Sequence, residues 1–259
     1  MNNVNKTMYI PLYGKSFVSK KGIILKDKKA EKIWAAEGFD LKGKSKSKWL
    51  AYYMGMRSAV FDHWLDQKLS ENTDVMVIHL GCGLDSRVLR VGTRNHQWYD
   101  VDFPEVIKER KKYFQKSEEY HMIGSDVRTN QWISELPKKP AVIVMEGVSM
   151  YLTMQELKNL MDRLCGHFEQ MSLLMDCYTE FAAKVSKYKN PINDVGVMKV
   201  YGLDDPKILE NGQLKFIKKY DMAPKNLIDE LSGAEKMIFR KLYAGSFSEK
   251  LYRMYEFKK

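Results

Sequence analysis

The sequence predicts a doubly wound α/β domain with an N-terminal helical cap and a late insertion. Three observations carry that expectation. The first seventy residues follow a helical apolar rhythm, short apolar runs alternate with helical segments from residue 75 onward, and the alternation breaks after about residue 179. A chain of 259 residues suffices for one large domain that buries roughly 70–75% of its unfolded surface, with no need of disulfides or metal. The expected organisation is a cap over 1–70 and a sheet domain over 71–259, packed as one unit, with the insertion at about 179–213.

In the cap, Asp27 can cap a short helix whose Ala30, Ile33 and Trp34 fall on one face. Leu41–Lys48 reads as a loop, and a longer helix runs from Lys48 to Leu69 with Trp49, Tyr52, Tyr53, Met56, Val60 and Trp64 at three- and four-residue steps. Val75–Leu80 is a buried-strand run ended by Gly81-Cys82-Gly83. Gln97–Val101 is a second strand, and Pro104 opens a helix reaching about Lys116. Tyr120–Ile123, Ala141–Met145 and Ser172–Cys177 supply three more strands, and a helix bearing Leu157, Leu160, Met161 and Leu164 precedes the last of them. Such alternation means a parallel sheet covered on both faces. Pro191, Gly196, Gly202 and Pro206 mark the insertion; then Gln213–Tyr220, Pro224–Leu231 and Leu251–Phe257 read as strand, helix and closing strand.

Composition narrows the function classes. Hydrophobic residues at 44% and charged residues at 29% describe a globular protein, not a disordered or fibrous one. No apolar run approaches the ~18–20 residues of a membrane span, and the first thirty residues contain no signal-peptide core. The three cysteines lack metal-ligand spacing and read as reduced thiols of a cytoplasmic protein; no metal site is expected. The net charge is +10, but 34 of the 43 cations are Lys, which suits a solvated surface better than base or phosphate readout by Arg.

Candidate site residues fall at strand ends, where such sheets bind ligands. Gly81-Cys82-Gly83-Leu84-Asp85 follows the first strand, and its glycines allow a tight turn and close backbone approach. The third glycine of a dinucleotide loop is replaced by Ser86, followed by Arg87. Taken alone, the pair of glycines also fits a plain strand-to-helix turn. Asp100 and Asp102 share a face of the second strand; Asp102, nearer its end, is placed to hold ribose hydroxyls, or else caps the next helix. Asp126, beside Val127, can accept from an adenine amino group or serve as an N-cap. Glu146 ends a fully apolar strand and needs a buried partner. Arg57 lies within an apolar-faced helix, where it either meets an anion or points to solvent.

Together the stretches His79–Arg87, Trp98–Pro104, Ser125–Arg128 and Glu146–Leu152, with the opening Ile10–Lys15 and Leu25–Ala30, resemble the leucine carboxyl methyltransferase family. Its bacterial branch of tetracenomycin polyketide synthesis O-methyltransferases is the nearer likeness. The likeness covers most of 8–165 and fades after about 180. It implies a Rossmann-like class I methyltransferase sheet and S-adenosylmethionine (SAM) as cofactor. It also implies residue roles: Gly81 and Gly83 under the methionine part, Asp102 on the ribose, Asp126 and Val127 at the adenine, and Glu146 near the amino group. Arg57, and more loosely Lys15, would pair with the SAM carboxylate, and Tyr151 would line the acceptor side. The expected activity is methyl transfer to an oxygen of a small-molecule acceptor, a carboxylate for preference, because no His–carboxylate pair offers a general base. Two other readings stay open on the residues alone: an NAD(P)-dependent oxidoreductase, and a basic module that binds SAM or nucleic acid without turnover.

Overall fold

The computed structural model describes residues 6–189, 192 and 199–259; Pro191 and Gly196, used above to mark the insertion, lie outside them. The cap is α1 (Tyr9–Lys21), α2 (Lys28–Glu37) and α3 (Lys48–Glu71). The sheet domain then runs β1 (Met76–Leu80), α4 (Arg87–Val91), β2 (Trp98–Asp102), α5 (Pro104–Arg110), β3 (Tyr120–Gly124), α6 (Gln131–Ser134), β4 (Ala141–Met145), α7 (Met154–His167) and β5 (Met171–Tyr178). It continues with α8 (Glu180–Lys189), β6 (Lys215–Tyr220), α9 (Lys225–Ile228), α10 (Gly233–Leu242), α11 (Ser246–Glu249) and β7 (Tyr252–Lys258).

The sheet order is β3-β2-β1-β4-β5-β7-β6. The first five strands are parallel, and β7 slots antiparallel between β5 and β6. Alternation with period two sends neighbouring residues to opposite layers. Val77 and Val142 join Phe61, Trp64 and Leu65 of α3 on one face, while Ile78 and Ile143 join Leu160 and Leu164 of α7 on the other. Because β1 and β4 are neighbours from which the chain winds outward in both directions, their carboxyl ends form the switch point where such sheets hold ligands.

Three local expectations need correction. The helix after β2 ends at Arg110, not near Lys116, because the backbone tightens there into a turn over 111–113, the Lys112 and Tyr113 amides donating to the carbonyls three residues earlier, Glu109 at 3.1 Å and Arg110 at 2.9 Å. The loop before α3 contains a 3-10 turn, Gly43–Lys46, closed by the Ser45 hydroxyl donating to the Lys42 carbonyl at 2.6 Å. Pro224–Leu231 shortens to α9, and α10 follows it. The cap receives both: Ile228, Leu231 and Phe239 pack with Val18, Tyr52 and Met56. Among the described residues no helix is long and apolar enough to cross a membrane.

Candidate active site

At the switch point a cavity of about 780 Å³ opens between the strand ends and the cap. Lys15, Arg57, Gly81, Gly83, Asp102, Asp126, Val127, Glu146 and Tyr151 all line it. Thus the structure brings these nine residues to one space, although they come from α1, α3, the end of β2 and the loops after β1, β3 and β4; Asp100 does not line it.

The loop after β1 is built for close approach. Gly81 and Gly83 have φ of +66° and +50°, and a Cβ on Gly81 would lie 2.2 Å from a Val148 methyl. The Gly83 and Phe103 amides donate to the two Asp102 oxygens at 2.7 and 2.8 Å. Burial nevertheless pushes the Asp102 carboxyl up to about 6, the amide bonds offsetting only part of the cost. Asp100, two residues earlier, is structural: it accepts from Trp98 at 2.8 Å and Tyr120 at 2.5 Å and pairs with Arg110.

Glu146 is held from several sides. Arg57 Nε donates to it at 3.0 Å, the Ser58 hydroxyl reaches it at 3.1 Å, and Arg87 pairs with its second oxygen. Burial opposes its charge, yet Arg57 and Arg87 hold its pKa down at about 2. Arg57 is 4% exposed, so it is not a solvated helix cation. It also pairs with Asp176 at 2.9 Å and donates to the Tyr252 hydroxyl at 3.2 Å. Lys15 is buried against Asp85 at 2.9 Å. Asp126 lines the cavity with its oxygens bonded to Arg128, the backbone amide donating at 2.9 Å.

Sequence reasoning missed the residues behind this wall. Asp85 and Arg87 stood in the quoted motif, yet nothing local tells that Arg87 reaches Asp62 at 2.7 Å and Glu146. Arg87 is fully buried and Ser86 is tied to Asp27 at 2.5 Å, so the position of a third dinucleotide glycine is filled by structural side chains. Asp176 did leave a signal: it is the one charge in an apolar strand, the same argument that flagged Glu146.

Tyr151 belongs to an aromatic wall with Trp49, Tyr53, Tyr178 and Tyr252, where burial pushes its phenol up. The Tyr178 and Tyr252 rings meet edge to face at 4.7 Å. The one histidine lining the cavity, among the described residues, is His79. Its Nε2 faces an Arg87 nitrogen at 3.0 Å and must accept, so the ring is neutral, and burial lowers its pKa.

The leucine carboxyl methyltransferase family matches residues 6–165. The tetracenomycin polyketide synthesis O-methyltransferase TcmP of Streptomyces glaucescens is 28% identical over 186 residues, 70% of this chain and 69% of its own. The S-adenosyl-L-methionine-dependent methyltransferase dpfgK of Gibberella zeae is 26% identical over 183 residues, covering 64% of this chain and 61% of that protein. In fold, the chain is similar to magnesium protoporphyrin IX methyltransferase ChlM from Synechocystis PCC 6803 with bound S-adenosylhomocysteine. The TM-score is 0.52 at 11% identity, covering 95% of this chain and 97% of that one. The match begins in the cap, passes through all four strand-end loops of the cavity and ends in α7; the chain belongs to the leucine carboxyl methyltransferase family, whose cofactor is SAM.

Proposed function

We propose that the chain moves a methyl group from SAM to a carboxylate oxygen of a small, largely apolar acceptor. The residues fit the cofactor's chemistry: a glycine-lined approach, a half-buried carboxylate at the β2 end for a diol, and an apolar Val127 beside Asp126 for a purine. In this reading Gly81 and Gly83 lie under the methionine part, Asp102 holds the ribose, and Asp126 with Val127 flanks the adenine. Arg57 and Lys15 serve the cofactor's carboxylate and Glu146 its ammonium. When bound, SAM supplies an electrophilic methyl on a sulfonium.

One observation supports a carboxylate over a phenol: among the described residues, the aromatic wall offers no unengaged base. Against the sequence expectation His79 does face a carboxylate, Asp100 at 3.6 Å, but its Nε2 is taken by Arg87; Glu146 is engaged by Arg57 and Asp126 by Arg128. Asp102 sits between two amides at the β2 end, whereas the aromatic wall comes from α3, the Ser149–Tyr151 turn, β5 and β7. A carboxylic acid arrives ionised at neutral pH and needs no proton acceptor; a phenol does. What remains for the chain is positioning, which can supply roughly 7–11 kcal/mol. Tyr151 directs the acceptor through its hydroxyl, and the aromatic wall keeps water out. A small molecule also suits the lysine-dominated surface better than nucleic acid, and three buried, unpaired cysteines fit a reducing cytoplasm.

The test is incubation with methyl-labelled SAM and matched pairs of aromatic acids and phenols. Label transferred to acids, and released by mild alkali as an ester would be, is expected. Alkali-stable label on the phenols overturns the carboxylate assignment.

A further inference from the structure

Asp176, at the end of β5, stands one layer behind the cavity. It is fully buried, and it touches three residues that line the space: Arg57 at 2.9 Å, the Gly147 amide at 2.6 Å, and the Tyr252 hydroxyl. Arg57 does not neutralise it alone, because the same guanidinium serves Glu146. Following the ion pairs outward, Lys15, Arg57, Arg87 and Arg90 face Asp27, Asp62, Asp85, Glu146 and Asp176. Among the described residues, four cations therefore meet five carboxylates. Asp102 lies outside this set, and its nearest guanidinium, Arg110, is committed to Asp100. Among the described residues the charges that line the cavity balance, Lys15, Lys44, Arg57 and Arg128 against Asp85, Asp102, Asp126 and Glu146, so the extra carboxylate of the network stands behind the wall rather than in it.

SAM and its demethylated product differ by the sulfonium charge. SAM carries one net positive charge at neutral pH, and S-adenosylhomocysteine is neutral overall. We propose that the negative charge of Asp176, uncompensated within the buried network, makes the site discriminate by cofactor charge, holding the sulfonium form and releasing the neutral thioether. The inference rests on the SAM assignment of the cavity. A carboxylate with no solvent contact is poorly screened, so its field reaches a cation across one layer of side chains. A simpler role is to orient Arg57 toward the cofactor's carboxylate. That role predicts equal effects on both ligands, because both carry the carboxylate.

The test is calorimetric titration of the whole chain and its Asp176→Asn variant with SAM, S-adenosylhomocysteine and sinefungin, which has an amine in place of the methylsulfonium. The wild type is expected to bind SAM and sinefungin about tenfold more tightly than S-adenosylhomocysteine, and Asp176→Asn to cut the difference to about twofold or less. Parallel weakening of all three ligands in the variant overturns the inference in favour of positioning. If the variant does not fold, the wild type decides: S-adenosylhomocysteine binding as tightly as sinefungin overturns it. Should none of the three bind, the cofactor assignment itself falls, and this inference with it.

Discussion

The Gly83 amide donates to the Asp102 carboxylate at 2.7 Å, joining the turn after β1 to the end of β2 beside the switch point. That bond aims one carboxylate oxygen while leaving lone pairs of both free for a ligand. Replacing Asp102 with Ala is therefore expected to weaken SAM by roughly 2–3 kcal/mol through lost charge-assisted hydrogen bonds. The thermal midpoint of the free protein should stay close to the wild type. Calorimetry checks the first and a melting curve the second; unchanged SAM affinity contradicts the ribose assignment.

The same residue sets a pH dependence with opposite signs in the free and bound protein. Burial raises the Asp102 pKa to about 6 from 3.8 in the unfolded chain. The free protein therefore binds the proton better when folded, and this contribution to stability is present at low pH and lost as pH rises through about 6. A ribose diol needs the ionised form, so SAM affinity is expected to rise over that same window. Melting curves with and without SAM at stepped pH measure both, and Asp102→Asn should flatten the affinity profile. Affinity that falls toward neutral pH would contradict the account.

Glu146 both lines the cavity and pairs with two buried arginines, Arg57 and Arg87. Removing its charge as Glu146→Gln takes away the one carboxylate that Arg57 and Arg87 share, and losing one partner of a buried ion pair costs about 3–5 kcal/mol in comparable cases. A large drop in the denaturant midpoint with an unchanged slope is expected. A shift equivalent to under about 1 kcal/mol, the scale of an exposed pair, would show that the network is screened by solvent.

Much of this site was legible because fully buried parallel strands read as apolar runs. Ala141–Met145 is bounded by prolines and a glycine, and its observed limits match the sequence reading. The carboxylates Asp102, Asp126 and Glu146 follow from strand-end position alone. The ionic network behind them does not, because Asp62 and Arg87 are 25 residues apart and meet only once α3 packs on the sheet. The end of α5 was hidden because the Glu/Lys pattern continues past Arg110 while the backbone tightens into a turn at Lys112 and Tyr113. α10 escaped because it buries a single side chain, Phe239, while Met237 and Leu242 face outward and blur the helical period.

In the proposed reading Tyr151 lies on the acceptor side of the cavity. Tyr151→Phe keeps the ring in the aromatic wall and removes only the hydroxyl. SAM affinity is expected to stay within about twofold while turnover falls about tenfold or more, the loss of one well-placed hydrogen bond. A fall in SAM affinity instead would move Tyr151 to the cofactor side.

The central claim, that the switch-point cavity is a SAM site, is tested most directly by calorimetric titration of the purified chain with SAM, with NADH as the control. The account predicts a single saturable SAM site with micromolar or tighter affinity and no heat from NADH. Binding of NADH, with silence from SAM, would contradict it.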